Sequence, residues 1–350
     1  MPSDPMPPST SGPALFFSHR ACLEHDPRAH MPSHPDTPER LLAIERELAA
    51  RDWLGWERRQ APPADDAALE LIHTHRHVAR IRDLCLSGGG AIDADTFVGE
   101  ASFLAALHAA GGACEMARAL LAGEGRVGFC AVRPSGHHAE PARGMGFCLF
   151  DNVALAAELA IRELGAQRVF VFDWDVHHGN GTAEAFRHRS DVLFASIHQV
   201  GIYPGTGPIG DSGSGPGEGY TINLPVPAGS EEELWLSLLE HIVLPAAAEF
   251  GPDLVLVSAG FDAHVDDPLA ECRLKTASFA EMARHLRDLA AGLGVPVGAV
   301  LEGGYEPVAL SASVAATLAA LAGEGEVRQA APEALLTSRA AAHIGHYWQL

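Results

Sequence analysis

The sequence predicts an α/β fold, a single-domain, doubly wound and mostly parallel sheet flanked by helices, and three observations predict it. Short apolar runs rich in Val, Phe and Ile recur at 127–132, 168–172, 192–196, 254–258 and 295–301. They lack period-two alternation, as strands buried on both faces do. Helical stretches at 152–164, 231–250 and 277–293 separate several of them, which is the repeated β-α-β order of a parallel sheet. No Pro/Ser-rich linker, solenoid-period repeat or low-complexity tract interrupts the interior, so 14–350 reads as one catalytic-sized domain behind a Pro/Ser-rich, disordered leader over 1–13.

Along the chain, Leu41, Leu42, Ile44 and Leu48 recur near helical spacing and predict a helix over 38–51, with Pro38 suited to its first turn. The Ala/Leu-rich segment 100–122 reads as a buried helix, and Gly111-Gly112 within it predicts close approach to a neighbour. His108 reads as a histidine of the core or the surface. The five buried strands and their helices follow, each strand ending in a loop that carries polar residues.

The composition bounds the function. A chain of 350 residues that is 47% hydrophobic with 36 Gly and 24 Pro fits a loop-rich globular enzyme and excludes a fibrous or wholly disordered protein. Its 24 Lys plus Arg against 45 Asp plus Glu give a net charge of −21, which opposes nucleic-acid phosphates and anionic lipid. The six cysteines, Cys22, Cys85, Cys114, Cys130, Cys148 and Cys272, form no C-x-x-C pair and read as free thiols. The leader has no basic region followed by an apolar run, so it is not read as a signal peptide, and a reducing cytoplasm is expected.

The chemistry gathers at strand ends, where open α/β sheets bind ligands. Asp173, Asp175 and His177 follow the run 168–172 and stand two apart, so they can share a face. Two carboxylates and an imidazole converging there would repel and desolvate one another without a cation between them. Asp262, just past 254–258, can close the site. Three protein ligands with an open position mark a catalytic centre; zinc is favoured, and the oxygen-rich Asp2His set leaves iron(II) and cobalt(II) open. His137 and His138, after the Pro134 and Gly136 turn, supply acid-base candidates. Tyr305, beyond Gly303-Gly304, is the candidate to stabilise an oxyanion.

Six motifs at 133–138, 144–148, 173–182, 203–207, 260–264 and 302–305 stand in the order seen in one family. The chain resembles the histone deacetylases and bacterial histone-deacetylase-like amidohydrolases, including acetylpolyamine amidohydrolases, from about residue 14 to 307. The resemblance implies a fold of arginase-deacetylase type and zinc on Asp175, His177 and Asp262. It implies His138 as general base with His137 assisting, Asp173 bonded to His137, Asn180 orienting His138 and Tyr305 polarising the scissile carbonyl. It also implies potassium at Asp173, His177, Ser196 and Ile197 with the Asp175 carbonyl, and at an outer site of Phe186, Arg189, Val192 and Tyr220. The acyl tunnel would be lined by Gly146, Phe147, Tyr203 and Leu269, with Asp95 holding the substrate backbone at the rim.

Within that family the pattern leans to class II: Asn180 stands where class I has Asp, and Leu269 where it has Met. Tyr305 is retained, unlike the weakly active class IIa enzymes. Leu269 supplies no acidic gatekeeper for polyamines, and Ser135 replaces a common Pro. The expected activity is hydrolysis of an N-acyl amide on an acyl-lysine peptide, with acetylpolyamine hydrolysis as the rival and a non-catalytic acyl-lysine-binding module or a two-metal ureohydrolase as further classes. Neither nucleic acid nor membrane is expected as a partner, and a homo-oligomer is left open.

Overall fold

The computed structural model describes residues 12–328 and 330–350; most of the expected leader, residues 1–11, lies outside them. The strands are β1 (Ala14–Ser18), β2 (Glu57–Gln60), β3 (Gly90–Ala91), β4 (Phe97–Val98), β5 (Val127–Cys130), β6 (Val169–Asp173), β7 (Val192–Gln199), β8 (Thr221–Val226), β9 (Leu254–Ala259) and β10 (Val297–Leu301). β3 and β4 pair as a small antiparallel ribbon. The other eight form one sheet in the order β2-β1-β5-β10-β9-β6-β7-β8, and every pairing in it is parallel.

The helices are α1 (Glu39–Ala49), α2 (Asp66–Leu69), α3 (His75–Leu86), α4 (Ser102–Leu121), α5 (Asn152–Glu163), α6 (Asn180–Phe186), α7 (Glu232–Leu238), α8 (Leu244–Phe250), α9 (Thr276–Leu293), α10 (Pro307–Leu321) and α11 (Leu335–Ile344). α4 and α5 pack together, backed by α2 and α3; α1, α9 and α10 form the second layer, with α8 beside α9. Strands β5, β6, β9 and β10 are buried along their whole length, which is why their sequences do not alternate.

The expected strands and helices are present with shifted ends, and the differences have local causes. The stretch read as one helix over 231–250 contains a π turn at Leu239–Val243, where Leu244 N bonds back to Leu239 O. Pro245 has no N–H to offer His241 O, so the helix is obliged to adjust there. Three strands of the main sheet escaped the apolar-run criterion: β1, a short buried strand between β2 and β5, and the two edges. β2 is exposed and charged, as an edge that must not recruit another strand should be, and β8 carries Pro225, which an edge tolerates.

Gly111 and Gly112 do mark a close approach. A Cβ on Gly111 would sit 2.2 Å from Pro62 O, and one on Gly112 would sit 2.9 Å from Cys130 Sγ. His108 is a buried histidine, its Nδ1 2.8 Å from Ala61 O. Among the described residues no helix is long and apolar enough to cross a membrane.

A buried histidine ties the α3 region to the site loops. His73 Nε2 accepts from Asp151 N at 2.8 Å, which leaves Nδ1 to donate to Glu140 O at 3.2 Å. Burial and the neighbouring His77 push His73 down to about 3, so it is neutral in the fold and titrates at 6.5 once unfolded. The unfolded state then binds more protons between those values, so this contribution to stability is complete above pH 6.5 and lost as pH falls toward 3. Urea denaturation at pH 7 and pH 5 should show wild type losing up to about 2 kcal/mol more than His73→Gln, whose amide can keep both bonds without titrating. Equal losses in the two proteins would remove His73 from the acid response.

Candidate active site

The C-terminal ends of β5, β10, β9, β6 and β7, five neighbours in the sheet, deliver the site. Past β6 the chain keeps its strand-like alternation, with Trp174 and Val176 in the core. Each aspartate there accepts the N–H two residues on: Asp175 N donates to Asp173 Oδ1 at 3.0 Å, and His177 N to Asp175 Oδ1 at 2.9 Å. These repeated Asx turns stiffen the strand end and fix the three side chains that the spacing had grouped.

Asp175, His177 and Asp262 offer ligand atoms all within 4.8 Å of one another. His177 Nδ1 lies 3.1 Å from both Asp175 Oδ1 and Asp262 Oδ2. The carboxylates are braced from behind: Gly303 N donates to Asp175 Oδ2 at 2.8 Å and Val176 N to Asp262 Oδ1 at 2.9 Å. Two glycines make room for them. A Cβ on Gly260 would fall 2.1 Å from Asp175 Oδ2, and one on Gly303 would fall 2.1 Å from Asp262 Oδ2. Burial opposes a charge on His177, but its bonds to Asp175 and Asp262 push it up to about 10. The cluster therefore demands a cation, as a proton on that imidazole or as a metal in its place.

The two histidines after β5 are buried and adjacent, their rings 4.0 Å apart, yet their environments push them in opposite directions. His137 Nδ1 donates to Asp173 Oδ2 at 2.9 Å. Burial works against its cation, but Asp175 and Asp173 raise it well above the ordinary imidazole range. His138 Nδ1 donates to Asn180 Oδ1 at 2.8 Å, a neutral partner. Burial, His137 and His177 hold it well below that range, so it is a neutral base. His178, next in the motif, points elsewhere and bonds Thr206 Oγ1 at 2.8 Å.

Tyr305 follows β10, and its N–H donates to Asp267 Oδ2 at 2.6 Å. The guanidinium of Arg40 lies 4.8 Å from its ring centre. Burial raises the phenol well above its usual value, against the opposing pull of Arg40, so it stays a hydrogen-bond donor. A cavity of about 190 Å³ is lined by Asp95, His138, Gly146, Phe147, His177, Tyr203, Leu269 and Tyr305. All five residues expected at the tunnel or rim are there. Gly146 has φ +57°, and a Cβ on it would strike His138 and Tyr203. Phe147, also left-handed at φ 66°, is held by its N–H donating to Thr96 Oγ1 at 3.1 Å, and Thr96 in turn donates to Asp95 at 3.0 Å.

Of the positions expected for an inner potassium site, Asp173 and Ser196 are register partners on β6 and β7, and Ile197 follows Ser196. Of the outer set, Phe186 ends α6, Val192 begins β7 and Tyr220 precedes β8. There the Phe186 carbonyl accepts from Arg189 N at 2.9 Å and the Tyr220 carbonyl from Phe194 N at 2.9 Å.

Several supporting residues were not singled out from the sequence. Glu302, at the end of β10, accepts from Gly136 N at 2.7 Å and His137 N at 3.1 Å, and burial pushes it up to about 8. Asp267 ties Tyr305 to Leu269, whose N–H it accepts at 3.0 Å. Arg40 and Arg133 both bond the buried Asp36, which anchors the N-terminal segment beneath Tyr305. Arg133 and Glu302 carried a faint signal, each a charged residue directly after an apolar run. His137, Cys148 and Glu302 also bring ligand-type atoms together, but burial pushes the Cys148 thiol well up and holds Glu302 near protonation, which suits a metal poorly.

A family profile describing the histone deacetylase domain matches residues 34–321. The chain is 38% identical over 325 residues to histone deacetylase 14, chloroplastic, of Arabidopsis thaliana, covering 89% of this chain and 77% of that protein. It is 40% identical over 275 residues to a histone deacetylase-like amidohydrolase of Pseudomonas aeruginosa, covering 77% and 71%. The crystal structure of the HDA15 HD domain superposes with a TM-score of 0.90 at 34% identity, covering 96% of this chain and 95% of that one. The chain belongs to the histone deacetylase family, whose members are hydrolases of the deacetylase and amidohydrolase kind acting on acylated amines.

The glycine cradle generates a direct test. Gly303→Ala drives a methyl group into the Asp262 and Asp175 carboxylates and should weaken metal binding by about 10- to 100-fold, read by competition with a chromophoric chelator. Unchanged affinity in a folded variant would refute the role of Gly303 in shaping the donor set.

Proposed function

We propose that this chain hydrolyses an N-acyl amide, foremost an N-acetyl-lysine-type substrate, with one zinc ion on Asp175, His177 and Asp262. The observation that carries the reading is that the buried Asp2His donor set adjoins a cavity whose wall also holds His138 and Tyr305. Three protein ligands fit a catalytic zinc, and iron(II) or cobalt(II) would suit the same oxygen-rich set. When bound, such an ion acidifies a water molecule and polarises the scissile carbonyl.

The protein's own groups complete the chemistry. Neutral His138 takes the proton of the attacking water and passes it to the leaving nitrogen. His137, held cationic through Asp173, lends positive charge beside the oxygen that becomes negative, and Asn180 orients His138. The Tyr305 hydroxyl donates to that oxygen, an interaction that strengthens as charge develops. Gly146, Phe147, Tyr203 and Leu269 would flank a slender acylated chain, with Asp95 accepting from the substrate backbone at the rim. The reading includes structural potassium at the two expected sets and a cytoplasmic setting, which the six buried thiols support. An acetylated polyamine is the second reading, favoured by the acid Asp95 on the cavity wall.

The test is a panel of acetyl-lysine peptide, trifluoroacetyl-lysine peptide, acetylputrescine and acetylspermidine given to the zinc-loaded protein, with and without a hydroxamate. Hydroxamate-sensitive turnover of the peptides is expected. Turnover confined to the polyamines would move the assignment to the second reading, and no turnover would favour a binding module. Tyr305→Phe should keep its zinc and lose about two to three orders of magnitude in kcat; wild-type turnover would remove the phenol from the mechanism.

A further inference from the structure

Asn180 can meet His138 in two ways, because its amide carries an acceptor on one side and two donors on the other. Three acceptors surround its nitrogen: Glu140 Oε1 at 3.0 Å, His138 O at 3.4 Å and Met145 Sδ at 3.5 Å. Of these Glu140 is the nearest, and a carboxylate can only accept. Its demand turns the amide nitrogen of Asn180 outward and leaves Oδ1 for His138 Nδ1. An imidazole facing an acceptor there must carry its proton on Nδ1, which leaves the lone pair on Nε2.

Glu140 is itself held in place. Its N–H donates to Arg143 O at 2.9 Å, and its carbonyl accepts from His73 Nδ1 at 3.2 Å. Thr74 N donates to the next carbonyl, Pro141 O, at 2.8 Å. Across the contact, Gly181 N donates to His137 O at 2.9 Å, and a Cβ on Gly181 would fall 2.5 Å from Ala139 O. The start of α6 and the residues after the histidine pair are therefore clamped backbone to backbone, and the Glu140–Asn180 bond lies within that clamp.

We propose that Glu140 is a positioning residue that sets the tautomer of His138 through the amide of Asn180. It touches neither the cavity nor the metal ligands and acts only by dictating which end of Asn180 faces the base. The inference rests on the general-base role proposed for His138, and the effect on turnover follows from it.

The decisive variant reverses the demand. Glu140→Lys presents donors to Asn180, so the amide turns over, its nitrogen faces His138 Nδ1 and the imidazole is driven to the Nε2–H form. In the Glu140→Lys/Asn180→Asp double variant the new aspartate accepts from both sides and restores the Nδ1–H form. Long-range 1H–15N correlation spectra of the 15N-histidine-labelled, zinc-loaded protein read the tautomer, with His138→Asn identifying the His138 signals. The expected result is a switch from Nδ1–H to Nε2–H in Glu140→Lys, with kcat down on the order of a hundredfold and KM within about twofold. The double variant regains most of both. A His138 tautomer unchanged in Glu140→Lys, or a double variant no better than the single, overturns the proposal. If the tautomer switches while wild type hydrolyses no amide, the positioning role stands and the proposed reaction fails.

Discussion

The structure depends on how charge is carried into the buried ends of the sheet. Asp173, Asp175 and Asp262 are fully buried at the ends of β6 and β9, a placement that would cost several kcal/mol for each unpaired ion. Each is instead bonded to backbone N–H groups, to a histidine, or to both, and those N–H groups belong to the loops that leave β6 and β10. The parallel sheet is what makes this economical. Its C-terminal edge gathers the ends of five neighbouring strands, so the loops after β6 and β10 can bring donors onto a few carboxylate oxygens carried past β6 and β9.

The same arrangement separates two imidazoles that share almost one location. His137 faces Asp173 and, farther off at 3.8 Å, Asp175, whereas His138 faces only the neutral Asn180. The two aspartates beside one ring, against burial and two neighbouring imidazoles around the other, assign the first to carry charge and the second to accept it. Groups whose environments drive them apart in this way are the usual mark of acid-base machinery. Glu302 extends the pattern beneath the pair, binding the Gly136 and His137 amides and thereby fixing the turn that presents both rings.

Much of this was legible in the sequence because the relevant signals are local. Asp173, Asp175 and His177 are spaced two apart on a strand end, and β5, β6, β9 and β10 announce themselves as runs buried on both faces. β2 and β8 did not, because edge strands are built to look unlike strands. The π turn before Pro245 was hidden inside an otherwise regular helical pattern. Glu302, Asp267, Arg40 and Asp36 act through contacts between segments far apart in the chain, and Arg40 reaches the carbonyls of Glu302 and Gly304 from the other end of the sequence. Such a residue looks like any other surface charge until the fold closes around it.

The cavity wall is drawn from pieces of a different kind. Asp95, Phe147, Tyr203 and Leu269 come from four separate loops; Thr96 bonds both Asp95 and Phe147, Asp267 holds Leu269, and none of these anchoring atoms belongs to the Asp2His cluster. Lengthening or replacing the Asp95 loop would reshape the mouth while the strand ends stayed as they are, whereas the Leu269 loop is bound to the chemistry because its Asp267 also holds Tyr305 N. Such a chain could drift from one acylated amine to another over evolutionary time and keep the bond-breaking apparatus intact, a division between what is read and what is done to it.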